Sequence, residues 1–406
     1  MRLFRNPQYS ATSAPLKVLL LFRQSSSSFT AYPWALAQSG KLLVDTVARY
    51  DHVIKHSAWS NEHYAFEDDE NCITILKGRL ATQEYAALYC MGAPALDILL
   101  EHRGDPILRP YLPYSHESEM FEISEDKQLF QEWCHSLDIP IPQSCYAQSA
   151  SKLFLRSDGF RYPSVLKFSK GYGGQEVFVV HSKQEIEDTL AAHPPSAETS
   201  LILQDYIDGV VGTTLFVANK GKIYGCFSLE KVRRLCEGLG PTVACRFIDS
   251  QELSQFAAKI AMKSLVSGIT GFDWVQSREG QYYVIDPHLG RATPNVIISH
   301  FAGIDLGDVT HASLVEVGRS QNEIVSNQKT IWLMPQALEY LFEPKTSAQA
   351  PQVSSPQVGM AVFWCGRNES KLFILQAAEC IYSQMRITFG RWRRQLTGYI
   401  SRWFKG

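Results

Sequence analysis

Residues 271–291 read Gly271-Phe-Asp-Trp-Val-Gln-Ser-Arg-Glu-Gly280-Gln-Tyr-Tyr-Val-Ile-Asp-Pro-His-Leu-Gly-Arg291. Two apolar, aromatic-rich runs, Phe272 to Gln276 and Gln281 to Asp286, flank Ser277-Arg-Glu-Gly280 and predict a β-hairpin. A four-residue loop sets Gln276 opposite Gln281 and Asp273 opposite Val284, with Asp273 diagonal to Asp286 on one face. His288 stands two positions beyond Asp286 and shares that face. Asp273, Asp286 and His288 are therefore candidate metal ligands, since a hard divalent cation on nucleotide phosphates requires such carboxylates. Taken alone, the stretch also reads as a solvated hairpin with incidental acids.

Working outward, Ser164 to Phe168 and Val177 to Val180 predict strands around Ser169-Lys-Gly-Tyr-Gly-Gly-Gln-Glu176. Lys167 ends the first strand, and Lys170, Gly171, Gly173 and Gly174 follow it. Glycines let backbone N–H groups approach phosphate oxygens, and a lysine supplies the neutralising charge. A surface lysine beside an ordinary turn is the plainer alternative. Leu129, Phe130, Trp133 and Leu137 lie at helical spacing from Ser124 onward, before Ile139-Pro-Ile-Pro142. Ser182 and Glu185 have capping-box spacing for a helix running to about Ala191. Leu201 to Ile207 reads as a strand, and Thr213 to Ala218 with Lys222 to Leu229 as a hairpin. Leu253, Phe256, Ala257, Ile260, Ala261 and Leu265 share a helical face, with Gly268 placed to end the helix.

Near the N-terminus, Lys17 to Phe22 predicts a buried strand, followed by a Ser25 to Ser28 turn and a helix over about residues 29–39. This opens an α/β domain assigned to residues 16–115. Residues 116–342 form a second unit with a flap at about 150–205. Residues 343–358, rich in Pro, Ser, Gln and Ala, read as a linker, and residues 359–406 as a basic, amphipathic helical segment. There Met385, Phe389, Trp392, Leu396, Tyr399, Ile400 and Trp403 form a stripe beside Arg386, Arg391, Arg393, Arg394, Arg402 and Lys405. Such a helix docks on an anionic membrane surface, on a protein partner, or back on its own chain.

The 406 residues carry a net charge of −2, which gives no long-range attraction for nucleic acid. Nine cysteines without a CxxC pair point to free thiols in a reducing, cytoplasmic setting. No signal peptide is read at the N-terminus, and no apolar run reaches the length of about 18 residues that a spanning helix needs.

In order along the chain, Asp126-Lys127, Val165-Leu-Lys-Phe168 with Lys170-Gly-Tyr-Gly-Gly174, Leu203-Gln-Asp-Tyr-Ile-Asp-Gly209, Gly271-Phe-Asp-Trp274 and Ile285-Asp-Pro-His288 resemble the ATP-grasp family. The 13 positions from Asp273 to Asp286 contribute to that resemblance. It implies an ATP-grasp fold of mixed α/β and α+β type, preceded by a Rossmann-like domain, with ATP between two lobes beneath a glycine-rich flap. It further implies that Lys127 and Lys167 contact phosphate or adenine and that Gln204, Asp205, Tyr206 and Ile207 hold the adenine edge. Asp273, Asp286 and His288 fall at the metal positions, where the family usually has acid, acid and asparagine.

Three departures stand out, one being that the usual arginine after the metal motif is displaced, with Arg291 as its substitute. Val211 occupies the place of a glutamate that usually binds ribose, and His288 offers nitrogen in place of oxygen, which suits Mn2+ at least as well as Mg2+. The activity implied is ADP-forming ligation, in which ATP activates a small carboxylate as an acyl phosphate for capture by an amine. Arg291 and Arg246 are candidates to stabilise developing charge. Lys231, Arg233 and Arg234 are candidates to receive the substrate carboxylate. The alternative function is a degenerate ATP-binding sensor or a recruitment module without ligase activity. Oligomeric state is not legible.

Overall fold

The computed structural model describes residues 14–24, 27–156, 160–171, 176–196, 199–235, 240, 242–294, 296, 298–317 and 330–333. It also describes short pieces at 337–338, 361–362, 369, 371–378 and 381–382. The linker residues 343–358, the glycines Gly173 and Gly174, and the aromatic stripe from Met385 onward lie outside the described residues.

The first sheet contains β1 (Leu16–Phe22), β2 (Leu42–Arg49), β3 (His63–Phe66) and β4 (Tyr85–Cys90), all parallel, in the order β3-β2-β1-β4. A parallel strand covered on both faces needs an unbroken apolar run. β1 supplies one, and Val18 to Phe22 are buried without exception. β2 lacks that signature because it carries the buried Asp45. That carboxylate accepts from Tyr85 Oη at 2.7 Å, Asn61 Nδ2 at 2.9 Å and the Glu62 amide at 2.9 Å. The helix after β1 is shorter than expected. A 3-10 turn at Ser27–Phe29 precedes it, and the α-helix covers Tyr32–Ala37.

The second sheet is antiparallel, with β5 (Ser144–Ala147), β6 (Ser164–Phe168), β7 (Val177–Val180) and β8 (Leu201–Asp205) in the order β5-β8-β6-β7. It has a small core of its own around Leu166, Phe168, Val180 and Leu203. The helix Lys183–Ala192 packs beneath it. Ser182 Oγ accepts from the Glu185 amide at 3.1 Å, and Glu185 Oε2 accepts from the His181 amide at 2.8 Å.

The largest sheet comprises β9 (Gly209–Asn219), β10 (Lys222–Arg234), β11 (Thr242–Ile248), β12 (Gly268–Ser277), β13 (Tyr282–His288), β14 (Ile331–Leu333) and β15 (Ala361–Val362). Its order is β13-β12-β9-β10-β11-β14-β15. The helix Gln251–Ser264 covers one face with Leu253, Phe256, Ala257, Ile260 and Ala261. It ends earlier than expected, because Leu265 itself adopts the left-handed conformation at φ 53° and is exposed. Gly268, at φ +116°, instead opens β12.

The β12–β13 hairpin corrects the expected register. Ser277 pairs with Gln281 through a 2.9 Å backbone hydrogen bond, leaving the three-residue loop Arg278-Glu-Gly280 with Gly280 at φ +92°. Trp274 then opposes Val284, but Asp273 opposes Asp286, so Ile285 is an extra residue in a β-bulge. The shorter loop and the bulge together turn the expected diagonal pair of carboxylates into a directly opposed one.

Beyond the large sheet, residues 371–378 form a helix whose Leu372 is buried against the first-sheet core. Glu369 anchors it, accepting from Ser57 Oγ at 2.6 Å and the Ala58 amide at 3.0 Å. Among the described residues no helix is long and apolar enough to cross a membrane.

Gly271 is where β12 meets its neighbours most closely: a Cβ there would lie 2.2 Å from Thr214 O and 2.6 Å from Thr293 Cγ2. Both contacts are with structure that has little room to give. Gly271→Ala is expected to destabilise by at least the roughly 1–3 kcal/mol of core overpacking. A urea midpoint unchanged from wild type would refute this close approach.

Candidate functional site

A cleft of about 390 Å³ lies between the second sheet and the large sheet. From the large sheet, β12 presents Asp273 and β13 presents Asp286 and His288, whose donor atoms all lie within 4.8 Å of one another. Asp273 is held tightly. Thr213 Oγ1, directly across on β9, donates to Oδ1 at 2.5 Å, and Lys231 Nζ on β10 lies 2.5 Å from Oδ2. Burial alone would raise its pKa, but Lys231 and His288 beside it hold the carboxyl well below the usual range.

His288 Nε2 lies 3.2 Å from Asp273 Oδ1, yet it is buried without a well-directed hydrogen bond. A buried, unsatisfied imidazole nitrogen facing two carboxylates is a donor set that fits a divalent cation. Lys231 now neutralises one of those carboxylate oxygens, so a cation binding both acids would compete with its ammonium.

From the second sheet, β6 presents the buried Lys167. Burial pushes its pKa down to about 8, Lys127 adds to the depression, and Asp286 and Asp273 oppose it. Lys127 opens the helix Lys127–Ser136, which Asp126 caps by accepting from the Gln128 amide at 2.8 Å. Its backbone N–H donates to Ser169 O at 2.8 Å and its Nζ to Gly171 O at 2.5 Å, tying helix to flap. Gln204, Asp205, Tyr206 and Ile207, at the end of β8, line the same cleft, and Gln204 Nε2 donates to Ser144 Oγ at 3.0 Å.

The basic cluster on β10 divides. Simple alternation would put Lys231 and Arg233 on one face, but register shifts at 231–234 bring Lys231 and Arg234 into the cleft. Arg233 is not among the lining residues. Arg246 is not brought to the cleft either; it opposes Glu230 in the β10–β11 register, with Nε 3.0 Å from Oε2. Arg291 is buried at the cleft wall. Lys170 faces an adjacent chamber rather than the cleft. Val211 lines the cleft where the resemblance anticipates a ribose-binding acid.

Several site residues escaped the sequence reading. Thr213 is legible only once β9 is known to pair with β12. Asp97 and Glu125 sit on separate helices, Ala93–Glu101 and Met120–Glu125, and line one chamber beside the cleft only in the folded chain. Arg23, just after β1, had a local signal in the strand-to-loop transition that places it at the mouth of an α/β sheet.

The Lys167 shift has a sign that can be checked. Below pH 8 the lysine is charged in both folded and unfolded chains, and the burial penalty is fully present. Between about pH 8 and the ordinary value of 10.5 the folded state sheds the proton first, so stability rises with pH. Wild-type stability is expected to gain on that of Lys167→Met across this window in urea unfolding. A constant difference would contradict the buried, charged assignment.

Residues 124–287 match a family model described as an ATP-grasp domain. Over 262 residues, 61% of this chain, the sequence is 26% identical to the arginine-specific large chain of carbamoyl phosphate synthase from Geobacillus stearothermophilus, covering 24% of that protein. It is 22% identical over 213 residues to the carbamoyl phosphate synthase large chain of Thermomicrobium roseum, covering 50% of this chain and 19% of that one. The chain thus spans about a quarter or less of the length of these curated relatives. Among solved structures, the L-amino acid ligase from Bacillus licheniformis superposes with a TM-score of 0.58 at 14% identity, covering 79% of each chain. The biotin carboxylase from Campylobacter jejuni gives 0.59 at 13% identity, covering 78% of this chain and 75% of that one. At such identities the likeness concerns the fold. Together with the family-model match, it shows that this chain has the ATP-grasp fold, with residues 124–287 matching an ATP-grasp domain.

Proposed function

We propose that the chain is an ATP-dependent, ADP-forming ligase that activates a small carboxylate for attack by an amine. The observation that carries this reading is the direct opposition of Asp273 and Asp286 across the bulged hairpin, with His288 beside them and Lys167 and Lys127 facing them. Relatives named as carbamoyl phosphate synthases and structural neighbours named as ligases and carboxylases support it. A Mg2+ or Mn2+ ion on Asp273, Asp286 and His288 would supply charge neutralisation at the phosphates.

The residues of the chain do the rest. Lys167 and Lys127 hold the phosphates of ATP, and backbone groups of Gln204 to Ile207 receive the adenine edge. Gly171 borders the phosphates at the cleft wall, and Lys170 adds positive charge from the adjacent chamber. The substrate carboxylate oxygen attacks the terminal phosphorus and ADP departs; the incoming amine then attacks the acyl carbon, inorganic phosphate leaves, and the nitrogen loses a proton as the amide forms. The buried Arg291 and the half-buried Arg234 are cations at the cleft wall placed to balance charge as the phosphoryl group moves. Six described cysteines are free thiols, which fits a reducing, cytoplasmic setting for an ATP-using enzyme.

A second reading, nucleotide binding without turnover, is favoured by two specific observations: Val211 in place of a ribose-binding acid, and Lys231 already seated on Asp273. The two readings separate in a metal-dependent ADP-release assay across pooled carboxylates and amines. Asp286→Ala is expected to lower the rate by at least about 10²-fold, the scale of losing one preorganised electrostatic group. ATP binding with a rate indifferent to this change would leave the sensor reading standing and the ligase reading without support.

A further inference from the structure

The floor of the cleft changes chemistry along its length. β9 and β12 pair there without a register break, so side chains two positions apart on either strand share a face. Thr213 opposes Asp273, and Val211 opposes Val275. Val211, Val275 and Asp273 all line the cleft. The charged rung at Asp273 is therefore followed, about 7 Å along the strands, by a rung that carries only aliphatic side chains.

The roof repeats that order. Lys167 on β6 opposes Val177 on β7, and Val165 opposes Val179, all four lining the cleft. On the other side of β6, Val165 opposes Gln204, the first residue of the segment assigned to the adenine edge. On the floor, the chain itself runs from Ile207 through Val211 to Thr213. The valine rungs thus stand between the adenine edge and the charged groups, which is where the sugar of a nucleotide must lie.

The nearby side-chain acceptors are directed elsewhere. Asp205 alternates with Leu201 and Leu203 of the second-sheet core, and Arg161 is the cation near it. Gln204 is buried and turned towards Ser144 Oγ. Glu176 stands at the phosphate end, since a Cβ on Gly171 would lie 2.5 Å from its Oε2. A sugar hydroxyl resting on valines loses water and gains no partner, so removing it costs no binding energy. A site built to hydrogen-bond a hydroxyl behaves oppositely and rejects the analogue that lacks it.

We propose that the cleft takes adenine nucleotides without reading their sugar hydroxyls, so that 2′-deoxy and 2′,3′-dideoxy forms bind at least as tightly as the ribose form. Val211, paired with Val275, is the residue that sets this tolerance. The inference rests on the reading of the cleft as a nucleotide site. It widens the class of phosphoryl donors to deoxyribonucleotides, because the lysines and the acidic cluster act on the phosphates, which both classes share.

The test is calorimetry on the full chain with Mg2+, titrating ADP, 2′-deoxy-ADP and 2′,3′-dideoxy-ADP. Both deoxy forms are expected to bind as tightly as ADP or more tightly. Weakening by more than about 3-fold on loss of a hydroxyl, the scale of a neutral hydrogen bond, overturns the proposal. Val211→Glu and Val211→Gln place an acceptor on the valine rung. The glutamate is expected to create a preference of about 10-fold or more for ADP over the dideoxy form, the scale of a charged hydrogen bond, and the glutamine a smaller one. Folded, ADP-binding variants that stay indifferent to the hydroxyls overturn the assignment of Val211. If neither variant folds, the wild-type series decides alone. ADP binding that requires the hydroxyls sinks this inference and spares the cleft assignment, whereas absence of binding by all three nucleotides sinks both.

Discussion

Two carboxylates, Asp273 and Asp286, face each other on adjacent strands inside a cleft, and the surrounding architecture answers that opposition. Like charges directly across a strand pair are destabilising, and burial removes the water that would screen them. Three different strands deliver the compensation. β9 brings the Thr213 hydroxyl, β10 brings Lys231, and β6 in the second sheet brings the buried Lys167. Breaking one partner of such an arrangement leaves an uncompensated buried charge, which costs more than the intact set contributes. The cleft thus holds both signs of charge under tension, a condition suited to exchanging protein cations for a metal ion and phosphates.

The bulge at Ile285 makes this opposition possible. An unbroken continuation of the register Trp274–Val284 would have left Asp273 opposite the apolar Ile285, with the two acids offset along the strands. One extra residue realigns them, and the shift persists to His288, which pairs opposite Gly271. Gly271 in turn permits β9 and the loop bearing Thr293 to approach β12 closely. That loop is hydrogen-bonded to the first sheet, through Ala292 N to Cys90 O at 2.8 Å and Tyr32 Oη to Thr293 O at 2.7 Å. Arg291 is consequently fixed on the wall that the cleft shares with the adjacent chamber. The helix at residues 371–378 packs on the same first-sheet core, through Leu372 and the Gln376 contact to Thr30, next to the cleft-lining Phe29.

Much of the local structure could be read directly. β6 and β7 follow the runs Ser164 to Phe168 and Val177 to Val180 without adjustment, because each is a short apolar run bounded by turn residues. The amphipathic face of Gln251–Ser264 was equally plain. Strands β2 to β4 were not, since Asp45 and Thr46 interrupt the apolar pattern of β2 and are satisfied only by distant partners such as Tyr85 and His63. Leu265 as a left-handed helix end defied the usual preference for glycine, and the site of termination is set by the turn into β12.

The sequence by itself determined the order of the chemistry along the chain: a capped lysine, a lysine before a glycine loop, and two acids 13 positions apart with a histidine after them. Such features are local and follow from residue type and spacing. Only the tertiary structure decided which charges meet. It seats Lys231 on Asp273, turns Arg234 rather than Arg233 into the cleft, sets Arg246 against Glu230 outside it, and brings Asp97 and Glu125 from separate helices to one chamber. The physical reason is that bulges reverse the facing of every later side chain, and inter-element contacts depend on packing between segments that no local pattern encodes.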